Sequence, residues 1–400
     1  MTDLAEPSLA TAAALRRRLP ALVGAAVTAG FEAGAIGFVL PAMRDATGAS
    51  AQQASWLLSV FVAATLLAVP ASALATQRWP STRLLRACLA LAVAAGALAS
   101  VLPGPGPVLL ARALQGLALG PLLPLVAAVV VVHWPAPQQG RLLGGLSLAY
   151  GLSFIAATVG TPWLLQWGWR AAFVVGAGLA ALTLAWPLPR AVPARRGSAA
   201  RPPLGRLAFG RPLLAVAVLA LGTGVGQAVL VWVPTLAVTR LGIDMVATAP
   251  LMVPMLLGGL AATGLVIHTL DRLGARPLVL LGSASAVAGL GLAVAVPAGR
   301  LSFMAGSAAL GFGVGLLSGG PLRYAAARAL PRQAQGLAQG GVAWITDLGL
   351  LGGSLLLGHL AGRGDTARSG LELALGMAGL AIALCAIAVP GLPRRAPPPR

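Results

Sequence analysis

The sequence predicts an all-α integral membrane protein of twelve transmembrane helices, arranged as two pseudo-symmetric six-helix bundles. Three observations carry this: very little charge, apolar runs of spanning length, and one long basic interruption near the middle. Of 400 residues, 58% are hydrophobic and 9% are charged, and the mean hydropathy is +0.88. A soluble domain carries roughly 25% charged residues, so water-facing globular classes are excluded. Runs between polar punctuation average about twenty residues, the length that crosses a ~30 Å hydrocarbon core. A helix is the open-ended element that satisfies its own backbone in lipid.

Apolar runs bounded by Arg, Pro and Gly predict helices over 20–43, 53–76, 83–102, 107–132, 140–165 and 170–188. A second set follows over 212–238, 246–269, 277–297, 301–325, 335–360 and 370–390. Between the sets, 189–211 is rich in Pro, Gly and Arg, cannot span a membrane, and reads as a flexible connector. Its basic residues suit an anionic lipid surface, with phosphate binding as the alternative. The expected organisation is therefore an N-terminal bundle over 1–188, a linker over 189–211 and a C-terminal bundle over 212–400. A P-x3-Q-G frame recurs at 135–140 and 331–336, an offset of 196 (331 − 135), each time between the fourth and fifth helix of a set. Parallel halves related by an axis along the membrane normal are one known transporter plan.

The net charge of +19 is the excess of 28 basic residues, all arginine, over 9 acidic ones. They lie in short loops rather than on one face or tail, which argues against nucleic acid as a partner. With the N-terminus cytoplasmic, 21 of the 28 arginines fall on the inside and 7 on the outside. Both termini are then cytoplasmic, in a bacterial inner membrane. No cleavable signal peptide is evident, because the run after Arg16-Arg17-Arg18 is too long for one. Cys88 and Cys385 sit in distant apolar runs, and His133, His268 and His359 lie near different helix ends, so no metal site, cofactor site or disulfide framework is expected. No nucleophile, base and orienting group assemble, which argues against an enzyme. GTGVG at 222–226 and GFGVG at 311–315 lie inside apolar helices without a preceding strand, so helix packing explains them better than nucleotide binding.

Two motifs resemble the major facilitator superfamily, and the resemblance runs over essentially the whole chain. LLARALQGLALG at 109–120 is similar to the family's fourth-helix motif, with Arg112, Gln115, Gly116 and Gly120 on its pattern. LDRLGAR at 270–276 is similar to the cytoplasmic loop between the second and third helices of a half, with Asp271, Arg272, Gly274 and Arg276 in the matching positions. In the first-half loop, 72–83, Ser72 and Thr76 stand where that loop carries Gly and Asp. The fifth helix keeps a G-W-R ending at 168–170, but Ala156-Ala157 stand where drug antiporters carry Gly-Pro. The resemblance implies alternating access, gating by the Asp271–Arg276 loop, and helices 1, 4, 7 and 10 around a central cavity.

The candidate chemistry lies in charges within the spans. Glu32 is mid-helix with Thr28 one turn before it. A central ionisable group costs about 2.5–3.5 kcal/mol on insertion scales, relieved by protonation or a nearby cation. The resemblance points Arg112 at the same space. This gives two readings, a proton-exchanging or cation-binding Glu32 biased by Arg112, or a fixed structural ion pair. Asp347, with Gln339 and Ser354 two turns either side, is either a second proton or substrate site or a structural hydrogen-bonding group. Thr223, Gln227 and Trp232 on the seventh helix are candidate substrate contacts, or pair with neighbouring helices. Arg323 beside Tyr324 either binds an anionic substrate or snorkels to the interface.

The function this predicts is proton-coupled secondary transport of a small solute, with efflux of drug-like or amphipathic compounds as the first reading. Uptake of a small metabolite or organic anion is the alternative. A non-transporting membrane sensor in the same fold is the reading from another class. The partners expected are a small-molecule substrate, protons and membrane lipid, with the chain acting as a monomer.

Overall fold

A computed structural model describes residues 17–48, 50–76, 78–102, 104–134, 136–189, 210–295, 299–318, 320–329, 335–363 and 366–393. The connector over 190–209 lies outside the described residues, as do most side chains of both P-x3-Q-G frames and those of Gln339 and Asp271. Everything regular among the described residues is helical.

The first stretch holds α1 (Leu19–Thr47), α2 (Ala51–Ala75), α3 (Ser81–Val101), α4 (Pro105–Leu119), α5 (Leu122–His133), α6 (Ala136–Leu164) and α7 (Arg170–Ala185). Beyond the connector come α8 (Arg211–Leu241), α9 (Ala249–Leu273), α10 (Ala275–Ala295), α11 (Arg300–Leu317), α12 (Gly320–Ala329), α13 (Gln335–Ala361) and α14 (Ala367–Ala386). Among the described residues, eleven helical stretches are long and apolar enough to cross a membrane, with α4–α5 and α11–α12 each forming one stretch. Helix α7, at 16 residues, is apolar but reaches only about 24 Å.

Two expected helices are interrupted, and at the same short sequence. Gly120-Pro121-Leu122 separates α4 from α5, and Gly320-Pro321-Leu322 opens α12 after the break that follows α11. Proline has no N–H to donate, so Pro121 and Pro321 leave the Leu117 and Leu317 carbonyls without their helical partners, while the Gly116 and Val314 carbonyls keep theirs. At the first break, the Gly116 carbonyl accepts from the Gly120 N–H at 3.1 Å and from Thr65 Oγ1 of α2 at 3.3 Å. At the second, the Ser318 hydroxyl donates back to the Val314 carbonyl at 2.6 Å.

The chain divides into two compact units. One holds the residues up to Ile36 and those from Ala63 to the connector; the other holds Gly37–Val62 and the residues beyond it. In the first unit, α1 lies directly on α6. A methyl group on Gly30 or Gly34 would strike the carbonyl of Tyr150 or Phe154, and Ser153 Oγ donates to the Val27 carbonyl at 2.7 Å. In the second unit, α8 lies on α13 in the same manner. Gly224 touches the Thr346 carbonyl and Gly349 the Leu221 carbonyl. Small residues that let backbones approach this closely replace the hydrophobic driving force that lipid removes. The GTGVG and GFGVG strings are part of this packing, since Gly311 likewise abuts the Met255 carbonyl of α9.

Candidate functional site

The first unit brings together Glu32, Arg112 and Gln115. Arg112 and Gln115 sit three residues apart on α4 and therefore share a face. Arg112 Nη1 donates to Glu32 Oε1 of α1 and to Gln115 Oε1, the latter at 2.8 Å. The side chains of Arg112 and Glu32 are 1% and 10% exposed, so the ion pair is sealed from bulk water. Thr28 does not join it, because its hydroxyl donates to the Gly24 carbonyl of its own helix at 2.8 Å.

Helix α7 closes the cluster. The Phe173 ring centroid lies 6.0 Å from Arg112 Cζ, which places the guanidinium within reach of a cation–π contact. One turn further, Gly176 faces Glu32, and a methyl group there would stand 3.4 Å from Oε2. Removing either charge strands the other in a low-dielectric site, at a cost of about 3–5 kcal/mol. Chemically, the carboxylate can exchange its guanidinium for a proton or a solute cation, and the guanidinium can exchange its carboxylate for a solute anion. Sequence reasoning missed Phe173 and Gly176, whose residue types carry no polar signal inside an apolar helix.

The second unit distributes the other candidates. Asp347 is half-buried in the middle of α13 and takes part in none of the ion pairs among the described residues. Thr223 is buried and donates to the Leu219 carbonyl of its own helix at 2.8 Å. Gln227 Nε2 donates to Ser318 Oγ at 3.3 Å, tying α8 to the residue at the α11 break. Trp232 is buried, and its Nε1 has no hydrogen-bond partner among the described residues. Arg323 is exposed on α12, and the Tyr324 ring beside it lies 4.6 Å from the Arg328 guanidinium.

In the loop after α9, Gly274 has φ of 76°, a conformation that favours glycine, and its N–H caps the helix on the Leu270 carbonyl at 2.8 Å. Arg272 is exposed. Arg276 donates to the carbonyls of Leu392 at 2.9 Å and Pro390 at 2.7 Å, so it holds the end of the last helix within its own unit.

Two arginine clasps were not anticipated. Arg170 Nη2 donates to the Leu102 carbonyl at the end of α3, at 3.1 Å, while stacking on Trp169. Arg240, at the end of α8, donates to the Val294 carbonyl of α10 and lies 3.5 Å from Glu372 of α14. Each clasp places a cation at the carbonyl end of a helix, where the dipole favours it.

The comparisons with known proteins agree with this architecture. Over 152 residues the chain is 23% identical to the multidrug export protein EmrB of Haemophilus influenzae, covering 37% of this chain and 30% of that protein. Over 266 residues it is 26% identical to a probable 4-methylmuconolactone transporter of Cupriavidus pinatubonensis, covering 62% of this chain and 61% of that one. The chain thus spans between about a third and three-fifths of the length of these curated relatives. Among solved structures, the nucleoside transporter NupG superposes with a TM-score of 0.73 at 13% identity, over 93% of this chain and 98% of that one. A D-xylose–proton symporter gives 0.75 at 16% identity, over 93% and 96%. The sequence profile of the Major Facilitator Superfamily matches residues 22–354, and this multi-pass membrane protein belongs to that family of secondary transporters.

Proposed function

We propose that this chain moves a small solute across the bacterial inner membrane by alternating access, driven by protons, and that it exports drug-like or amphipathic compounds. The observation that carries the proposal is the buried Glu32–Arg112–Gln115 cluster inside the spans. Embedded charges are costly, and in transporters they mark substrate pathways and proton relays. The match to a multidrug export protein supports export. Glu32, Arg112 and Asp347 are the embedded charges that link proton and solute movement. Thr223, Gln227, Trp232, Arg323 and Tyr324 contribute solute contacts, and the loop with Asp271, Arg272, Gly274 and Arg276 takes part in gating.

In this reading α7 is the sixth of twelve spans, with α4–α5 and α11–α12 each one broken span. The chain then forms two six-helix bundles, 1–188 and 212–400, joined by a cytoplasmic linker over 189–211. Both termini are cytoplasmic, and the protein works as a monomer in lipid.

Uptake of a small organic anion is the second reading, with Arg112 as the anion-recognising group. The longer of the two matches reported, to a probable 4-methylmuconolactone transporter, supports a small organic metabolite as the solute in this reading. Ethidium accumulation in cells, with and without a proton uncoupler, separates the two. Export gives more accumulation on uncoupling, and coupled uptake gives less. In proteoliposomes, Glu32→Gln is expected to abolish solute flux; unchanged flux would sink the role of Glu32. A sensor that transports nothing predicts no counterflow for any solute.

A further inference from the structure

The two embedded acids stand in opposite electrostatic circumstances. The charge of Glu32 is already answered by Arg112, itself held by Gln115 and faced by Phe173. A proton arriving at Glu32 must displace that guanidinium and leave it buried without its counter-charge. Asp347 carries no such obligation. It is the thirteenth of the 27 residues of α13, counting from Gln335, and makes no ion pair or side-chain hydrogen bond with a described residue.

The surroundings of α13 supply no counter-charge at that depth among the groups that can be placed. Exposed Trp344, Gly352 and Leu355 mark its outward face, while Thr346, Gly349 and Gly353 lie on α8. At 3.6 residues per turn, Asp347 falls roughly 90° from the outward face. It shares that flank with Ser354, which is buried and donates to the Leu350 carbonyl.

Helix α8 meets this level at Gly224, which touches Thr346. Its charged residues, Arg211 and Arg240, lie 13 and 16 positions away, roughly 20 Å or more along the axis. On α14, Ile382 and Cys385 flank Gly226 and Gly222. Arg368 and Glu372 stand at least 10 positions beyond Ile382, roughly 15 Å further along, and pair with each other. Helix α12 carries Arg323, Tyr324 and Arg328, and neither arginine forms an ion pair with Asp347. His359, exposed on α13 itself, is 12 residues on, roughly 18 Å away.

We propose that Asp347 is the proton-binding carboxyl of this protein, and that Glu32 stays paired with Arg112 as the solute-recognition centre. The proposal rests on the proton-coupled reading above and divides its labour between two carboxyls. The step is a single proton transfer. One O–H bond forms at an Asp347 carboxylate oxygen, a hydronium ion from the aqueous side gives up the proton and becomes water, and no electrons change hands. Protonation removes a charge from the middle of a span without breaking any contact made among the described residues. Deprotonation restores an uncompensated charge that the span disfavours, so occupancy by the proton and the conformation of α13 are linked.

The test uses the full chain, purified and reconstituted in lipid, followed through a pH titration by infrared difference spectroscopy. The readout is the carbonyl stretch of a protonated carboxyl. That band is expected to persist in Glu32→Gln, to be lost in Asp347→Asn, and to return at a shifted position in Asp347→Glu. Loss in the Glu32 variant with retention in the Asp347 variant overturns the proposal, as does the absence of any titrating band in the wild type. The same vesicles report ethidium flux under an imposed proton gradient. Gradient-dependent flux that survives Asp347→Asn overturns the proposal while leaving transport intact. A titrating Asp347 band in vesicles that move no solute upholds the proton site and removes the transport reading instead.

Discussion

Arg112 is a fully buried charge in the first unit, and its loss should be felt beyond transport. It is 1% exposed and donates to both Glu32 and Gln115. Arg112→Gln leaves the Glu32 carboxylate beside Gly176 without its guanidinium, and should lower stability in detergent by about 3–5 kcal/mol. Glu32→Gln should cost a similar amount, because the guanidinium is then the stranded charge. The double variant removes both charges together, so it should be more stable than the sum of the two losses. Thermal unfolding of the four proteins measures that coupling, and simple additivity would mean that the pair is not an energetic unit. This pair was legible in the sequence because a charge inside an apolar run is rare and must be answered. Phe173 and Gly176 were not legible, since an aromatic and a glycine in a transmembrane helix look the same whether they face a guanidinium or a lipid tail. Glu372 escaped for a related reason: near a helix end, an acid reads as solvated until coordinates put Arg240 beside it.

Helices are the scale at which the sequence spoke most clearly, because the apolar runs have the length that lipid demands and the breakers are strong. What escaped was the interruption of the fourth and tenth expected helices, where hydropathy runs on unchanged through Gly120-Pro121 and Gly320-Pro321. The Gly-Pro pairs carried the signal, but a proline inside a membrane helix is often absorbed without a break. Pro41, Pro70, Pro162, Pro234 and Pro254 all sit within helices that continue past them. The two breaks fall in the fourth and tenth expected helices, 200 residues apart (321 − 121), and are expected to bend during transport. Pro121→Ala and Pro321→Ala restore an N–H at each break, and each should stabilise the folded protein by about 1 kcal/mol for the hydrogen bond regained. The same variants should slow ethidium flux from proteoliposomes, since a continuous helix resists bending. Faster flux with unchanged stability would show that the breaks are not hinges.

At the scale of the whole molecule, charge sets orientation more than it sets fold. The +19 net charge is carried by arginines concentrated in alternate loops, and retaining a basic loop in the cytoplasm is favoured over moving it across. In the proposed orientation, with 21 arginines inside and 7 outside, the turn between α2 and α3 and the one after α9 are expected inside, and those after α6 and α8 outside. Helix count alone leaves this undecided, since any number of spans fits either orientation. Single-cysteine reporters at Gly168 and Gly242, in a background where Cys88 and Cys385 are replaced by serine, should therefore react with a membrane-impermeant maleimide in intact cells. Reporters at Arg78 and Arg272 should react only after the membrane is opened. Both outer sites are glycines with positive φ, at 92° and 62°, so cysteine there strains the turn, and Gln166 and Asp244 serve as second positions a short distance away. The reversed labelling pattern would invert the direction assigned to every proton and solute step above. It would leave the ion pair, the helix breaks and the two clasps untouched, because those rest on contacts within each unit and not on which side faces the cytoplasm.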